Sequence, residues 1–196
     1  MGDIVVLVLA AGSSSRMKSI KQLATIDNKT LLEITLEKAT KITSKNTFCV
    51  LGANREKIEN QINFKNTQII INKNFEEGLS SSISKGLDFI KKAQPNLKSV
   101  LILLADQPGI QLSYLNDMIN LFKVNPSKII ASKYKETYGV PALIPSIYFD
   151  DLLKIKGNKG AKTFLNKNLD AVLSPKTTTN LTDIDTLKQL KQFING

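Results

Sequence analysis

An unbroken apolar run, Ile4 to Leu9, opens directly into Ala10-Ala11-Gly12-Ser13-Ser14-Ser15-Arg16-Met17, with Lys21 four residues on. A run of six apolar residues without polar alternation reads as a strand buried on both faces, which requires helices above and below a sheet. The segment that follows is small and polar and ends in two cations. Small side chains let backbone N–H groups approach a phosphate, and Arg16 and Lys21 can neutralise it. The spacing matches neither common phosphate loop. A Walker loop needs a second Gly and then Lys, but position 17 is Met, and a dinucleotide fingerprint needs three glycines where only Gly12 stands. The bare loop leaves two readings open, nucleotide binding and a plain strand-to-helix turn.

The same pattern recurs along the chain. Candidate strands are Ile4–Leu9, Thr47–Leu51, Gln68–Ile71, Ser99–Leu104, Lys128–Ser132 and Val140–Ile144. Candidate helices are Thr30–Ile42, Arg55–Asn63, Leu79–Lys92, Ser113–Val124, Ile147–Leu153, Ala161–Asn166 and Thr186–Ile194. Alternation of the two predicts an α/β fold, a single domain over residues 1–196 with a mostly parallel sheet and helices on both faces.

Absences narrow the chemistry. The chain has no His and one Cys, Cys49. Ser–His triads, Cys–His pairs, zinc sites of the usual kinds and internal disulfides are thereby excluded. Cys49 lies in an apolar run and reads as a buried, inert thiol. Chemistry falls to Asp, Glu, Lys, Arg, Ser, Tyr, backbone dipoles or a hard metal. The net charge is +10, but Lys is spread evenly, with no basic block and no aromatic-rich tract for base stacking. Attraction for small polyanions is expected, and nucleic acid is not. No apolar run approaches the roughly 20 residues that span a bilayer. No membrane association and a cytoplasmic location are expected.

Four further segments bear on chemistry. In Leu101-Ile102-Leu103-Leu104-Ala105-Asp106-Gln107-Pro108 a lone carboxylate ends an apolar strand, and Pro108 starts a turn. If this strand neighbours the first, Gly12 and Asp106 face one crevice at the carboxyl ends of the strands. A carboxylate beside a phosphate loop suits Mg²⁺; otherwise Asp106 caps a turn. Gly78 through Ser82 opens a helix with free N–H and hydroxyl groups, fit for a base or phosphate or for ordinary capping. Asp183-Ile184-Asp185-Thr186 precedes the last helix; one Asp could complete a metal site, or Asp185 or Thr186 could be its cap. Tyr138-Gly139-Val140-Pro141 and Gly157-Asn158-Lys159-Gly160-Ala161-Lys162 include a glycine-flanked cationic loop able to grip an anionic acceptor.

Taken in order, these segments resemble the MobA-like nucleotidyltransferases, and within them the MocA type, the molybdenum cofactor cytidylyltransferases. Ala10 to Met17 with Lys21 is similar to that family's Leu-Ala-Ala-Gly-x-Ser-x-Arg-Met signature and its following Lys. Asn74 to Ser82 with Gly86-Leu87 resembles its base-side segment, Asp106-Gln107-Pro108 its metal-binding Asp motif, and Asp183-Ile184-Asp185-Thr186 its closing motif. The chain departs from the pattern at Lys18, Val140, Asn158, Lys162 and Leu187-Lys188-Gln189, mainly on the acceptor half. The resemblance implies a Rossmann-like sheet of the nucleotide-diphospho-sugar transferase kind. It implies transfer of CMP from CTP to the phosphate of molybdopterin, with Mg²⁺ as cofactor and pyrophosphate released. The product would pass to a molybdenum hydroxylase or its chaperone. Ala11 is the marker for CTP, since guanylyl members carry Ala-Gly-Gly. Arg16, Lys21 and Asp106 would be catalytic; Ala10, Ala11, Gly12, Ser14, Gly78 and Ser82, with Arg16 and Lys21, would bind the nucleotide. The loop through Ser15 would cradle the triphosphate. Asp106 and Asp185 would hold the metal, with Asp183 in reserve, and Gly139, Pro141, Lys159 and Gly160 would face the acceptor. Two alternatives stay open: a sugar- or alditol-phosphate nucleotidyltransferase, and a non-catalytic nucleotide-binding or cofactor-carrier protein. An oxidoreductase ranks low without a dinucleotide fingerprint.

Overall fold

A computed structural model describes residues 4–14, 16–17 and 19–195. Ser15 and Lys18 therefore lie outside the described residues. The chain runs β1 (Ile4–Ala10), β2 (Thr25–Ile26), β3 (Lys29–Thr30), α1 (Leu31–Ile42), β4 (Thr47–Leu51), α2 (Arg55–Glu59), β5 (Thr67–Ile71), α3 (Leu79–Ala93), β6 (Ser99–Leu104), α4 (Leu112–Val124), β7 (Ile129–Tyr134), β8 (Thr137–Pro145), α5 (Phe149–Leu152), α6 (Lys162–Lys167), β9 (Val172–Leu173) and α7 (Leu187–Asn195). Single 3₁₀ turns fill Lys21–Leu23, Phe75–Glu77, Ser146–Tyr148 and Leu169–Ala171.

Seven strands form one sheet in the order β5-β4-β1-β6-β8-β7-β9. β1 pairs in parallel with both β4 and β6, and only β8 runs against its neighbours. The mostly parallel α/β sheet expected from the residue pattern is what the chain forms. β1 shows why its apolar run is continuous. Val5, Leu7 and Leu9 enter the core layer with Ile83, Leu87 and Ile90 of α3. Val6, Val8 and Ala10 enter the other layer, with Leu32, Leu36 and Ala39 of α1 and Leu115, Met118 and Phe122 of α4. Cys49 is fully buried in β4 and burial pushes its thiol pKa up, so it is inert as expected. Among the described residues no helix is long and apolar enough to cross a membrane.

Several boundaries differ from those read off the residues. α1 starts one residue later than Thr30, because Thr30 is its N-cap in a reciprocal capping box with Glu33. α2 stops at Glu59 and not Asn63, yet Ile58 and Ile62 are both buried, so the apolar spacing outlasts the helix. The strand expected at Lys128–Ser132 runs to Tyr134 and turns into β8, forming a hairpin. The β2–β3 ribbon turns through Asp27 and Asn28, both at positive φ, a turn that suits these short polar side chains. After β1 the chain winds outward through β4 and β5, then returns by α3 to lay β6 on the other side of β1. Strand order reverses there, and the carboxyl ends of β1 and β6 open a crevice.

Candidate functional site

The loop after β1 is held from beneath by Gln22, which is 3% exposed. Its Nε2 donates to the carbonyls of Ala10 (2.8 Å) and Gly12 (2.9 Å), and its Oε1 accepts from Ser14 Oγ (3.0 Å). Ser14, at φ 59°, in turn accepts from the Lys21 backbone N–H at 3.0 Å. A buried amide thus satisfies two carbonyls at the point where the chain leaves β1. Met17 is buried with Leu31 and Ile184, which ties the loop to the segment before α7.

That segment docks on β6. The Ile184 N–H donates to the Asp106 carbonyl at 2.8 Å. Thr186 and Gln189 close a cap on α7: Gln189 N–H donates to Thr186 Oγ1, and Gln189 Oε1 accepts from the Asp185 N–H. With Thr186 as the cap, the Asp185 carboxylate is left for the crevice. Lys21 Nζ stands between two carboxylates, 2.5 Å from Asp106 Oδ2 and 2.8 Å from Asp185 Oδ1. Arg16 meets Asp185 at 3.0 Å, its own side chain 72% exposed. Two cations from the loop and two carboxylates from β6 and the closing segment therefore meet at one point. Burial alone would lower the pKa of the Lys21 ammonium, but Asp106 and then Asp185 outweigh it, and it stands above its ordinary value. Asp106 Oδ1 is buried without a hydrogen-bond partner among the described residues.

A cleft of ≈ 450 Å³ opens at this point, lined by Ala10, Ala11, Gly12, Arg16, Lys21, Gly78, Ser82 and Asp106 among others. Among the described residues a Cβ on Gly12 would meet nothing within 4 Å, which leaves that face open to a ligand. Ser14 does not line the cleft; it acts under the loop. Gly78, at φ +97°, packs so closely on the 157–158 loop that a Cβ would stand 2.1 Å from Asn158 Oδ1. Ser82 is oriented by Asn72, whose Nδ2 donates to its Oγ at 3.0 Å.

A second cleft of ≈ 260 Å³ shares Leu79 and Leu104 with the first, and Gln107, Tyr134, Tyr138, Gly139, Lys159, Lys162 and Asp183 line it. Of the residues expected on the acceptor side, Gly139 and Lys159 are there. Pro141 is buried in β8, its carbonyl accepting from Ser132 Oγ at 3.0 Å, and it does not line the cleft. Gly160 is buried under Leu79, where a Cβ would come within 2.6 Å. Asp183 and Asp185 diverge: Asp183 Oδ1 accepts from Gln107 Nε2 at 2.7 Å and stays off Lys21. Gln107 Nε2 also donates to Tyr134 Oη at 2.8 Å, while Tyr134 donates to the Val140 carbonyl. Gln22, Asn72 and Tyr134 carry no motif that marks them in the sequence.

Asp183 is partly open to solvent, yet desolvation by the surrounding protein, and then the charge of Asp106, raise its pKa. The folded chain then binds more protons than the unfolded chain between the ordinary carboxylate range and the raised value. Stability from this group is present below that window and lost as pH rises through it. Asp183→Asn keeps an acceptor for Gln107 and removes the charge. Thermal unfolding is expected to show a slightly higher Tm for the variant at pH 7 and no difference near pH 4; a lower Tm at pH 7 contradicts this electrostatic account.

The comparisons with known proteins point one way. The MobA-like NTP transferase domain family matches residues 6–172. Purine catabolism protein PucB of Bacillus subtilis (strain 168) is 31% identical over 115 residues, 57% of this chain and 53% of PucB. The chain thus spans about half the length of that curated relative. The crystal structure of Rv0371c from Mycobacterium tuberculosis H37Rv superposes with a TM-score of 0.83 at 23% identity, over 99% of this chain and 98% of that one. A cytidylyltransferase from Leptospira borgpetersenii serovar Hardjo-bovis (strain JB197) superposes at 0.75 with 16% identity, over 99% and 86%. At these identities the two structures establish a shared fold.

Proposed function

This chain belongs to the MobA-like NTP transferase domain family, and from that premise we propose that it transfers CMP from CTP to the phosphate of molybdopterin and releases pyrophosphate. The observation that carries the transfer is the meeting of Arg16 and Lys21 with Asp106 and Asp185 beside the larger cleft, which shares Leu79 and Leu104 with the smaller one. A triphosphate in the larger cleft would present its α-phosphorus toward an acceptor in the smaller one. A phosphate-monoester acceptor is already ionised at neutral pH, so no general base is required, consistent with a chain without His. Catalysis then rests on positioning and charge neutralisation. Gly12 and its neighbours give the phosphates an open backbone face. Arg16, exposed and planar, would leave Asp185 and fork onto the leaving pyrophosphate. Lys21 would turn to the α-phosphate. Lys159 and Lys162 supply positive charge to an anionic acceptor. The preference for CTP rests on Ala11 and the resemblance it carries.

The donor set suits a hard divalent cation. Asp106 and Asp185 offer carboxylate oxygens without His or Cys, and among the described residues Asp106 Oδ1 has no other partner. A second crystal structure of Rv0371c from Mycobacterium tuberculosis H37Rv is a complex with manganese, with a TM-score of 0.80 at 22% identity over 99% of both chains. Mg²⁺ held by these two Asp residues would draw charge from the phosphate oxygens. The domain is proposed to run over residues 1–196, because the stretch beyond 172 delivers Asp183 and Asp185. A cytoplasmic location and transfer of the product to a molybdenum hydroxylase or its chaperone belong to the same proposal.

The test is pyrophosphate release with each of the four NTPs and Mg²⁺, with and without molybdopterin. Release with CTP, and only when molybdopterin is present, is expected. Release with another phosphate acceptor moves the assignment to the sugar- or alditol-phosphate class. Binding of CTP without release under any acceptor leaves a nucleotide-binding protein.

A further inference from the structure

The Lys21 ammonium occupies the position in which a cation would satisfy both carboxylates. It is bonded to Asp106 and Asp185 at once, with its side chain only 17% exposed. Its main chain is fixed by Ser14, which Gln22 holds in turn. Arg16 adds a second positive charge on Asp185. Among the described residues, two carboxylates are thus balanced by two cations before any ligand arrives. Among the described residues no third His, Cys, Asp or Glu joins them to make a preformed metal cage. A divalent ion entering alone would have to expel an ion-paired lysine and sit beside its charge.

A nucleoside triphosphate changes this balance. Its phosphates bring several negative charges to the face of Gly12, within reach of the loop that carries both cations. Arg16 and Lys21 then gain phosphate oxygens in exchange for carboxylate oxygens, and Asp106 and Asp185 are released to a metal.

We infer that Lys21 closes the cation site of the free protein, so that a divalent metal binds tightly only with or after the nucleotide. The inference rests on the nucleotidyl-transfer reading and gives Lys21 a second role beside phosphate neutralisation.

Manganese binding to the protein, followed by water-proton relaxation, reads this without turnover. That signal reports metal on the macromolecule and responds little to manganese on free nucleotide. Wild-type protein is expected to bind Mn²⁺ weakly when alone and at least about tenfold more tightly with CTP and no acceptor. Lys21→Gln is expected to bind Mn²⁺ without nucleotide at least about tenfold more tightly than wild type. Adding Asp106→Asn to that variant should abolish the gain. Should Lys21→Gln unfold, Lys21→Met serves in its place. Tight binding by nucleotide-free wild type, or no gain in either Lys21 variant, overturns the inference. So does a gain in the variant with no effect of CTP on wild type. CTP binding by calorimetry without metal separates the two claims: if CTP does not bind at all, it is the nucleotide reading that fails.

Discussion

Replacing Asp106 by Asn is expected to lower turnover about a thousandfold or more while leaving the protein folded. The carboxylate stands two residues beyond β6 in the lining of the larger cleft, bonded to Lys21 Nζ through Oδ2, with Oδ1 buried and unpartnered among the described residues. Asparagine keeps the shape and loses the charge. A metal would lose one of its two anionic ligands, and Lys21 would lose the partner that outweighs its burial. The fold should survive, because the Ile184 N–H bonds to the main-chain carbonyl of residue 106, which the substitution leaves in place. Steady-state kinetics beside a melting curve checks this. Turnover within about tenfold of wild type at an unchanged Tm would remove Asp106 from the chemistry.

The second large effect concerns a residue that touches no reacting atom. Gln22→Glu is expected to destabilise the protein by about 3 kcal/mol or more at pH 8. Gln22→Ala is expected to cost less, about 1–3 kcal/mol, for the unpaired polar groups it leaves behind. Gln22 Nε2 faces the carbonyls of Ala10 and Gly12. Glutamate puts an acceptor oxygen there, against two other acceptors, in a place only 3% exposed. The new carboxyl relieves this by holding a proton, so its pKa in the fold is raised. The sign follows from linkage: the defect is smallest at low pH and grows as pH rises through the raised pKa. Denaturant unfolding at pH 5 and pH 8 tests it. A variant as stable as wild type at both values contradicts the geometry of the loop. The NTP affinity of both variants should fall, since the loop they unpin carries Gly12, Arg16 and Lys21.

Both effects bear on what could be read from residues alone. The central pair β1 and β6 was legible because each is apolar without alternation, the mark of burial on two faces. α1 was legible from its apolar stripe, Leu31, Ile34, Leu36 and Ala39 on one face, while the Thr30–Glu33 capping box that sets its start one residue later is seen only in the fold. The reversal of β8 was not, since apolar pattern specifies which face a residue lies on and not which way the strand runs. The two-residue strands β2, β3 and β9 are too short to show a period, and α2 ends before its apolar spacing does.

The site divides in the same way. Asp106 stood out as a charge ending an apolar strand, Arg16 and Lys21 as the cations of a small polar loop, and Asp185 with Asp183 as a pair before the last helix; the fold brings Arg16, Lys21, Asp106 and Asp185 to one point. Gln22 and Tyr134 did not, because each serves a main-chain carbonyl whose position depends on the path of a loop or hairpin. Pro141 lay in a motif resembling an acceptor segment, but β8 points it into the core. Asp183 and Asp185 differ by one intervening residue, and only the docking of Ile184 on Asp106 decides that Asp185 faces Lys21 and Asp183 faces Gln107.

The central claim is that the phosphate loop and Asp106 act on the α-phosphorus of a nucleoside triphosphate. Following the label from CTP carrying ³²P at the α or at the γ position tests it most directly, with Mg²⁺ and molybdopterin present. The account predicts α label in the acceptor product and γ label in pyrophosphate. Appearance of γ label in inorganic phosphate or on the acceptor, with α label left in CDP, contradicts it.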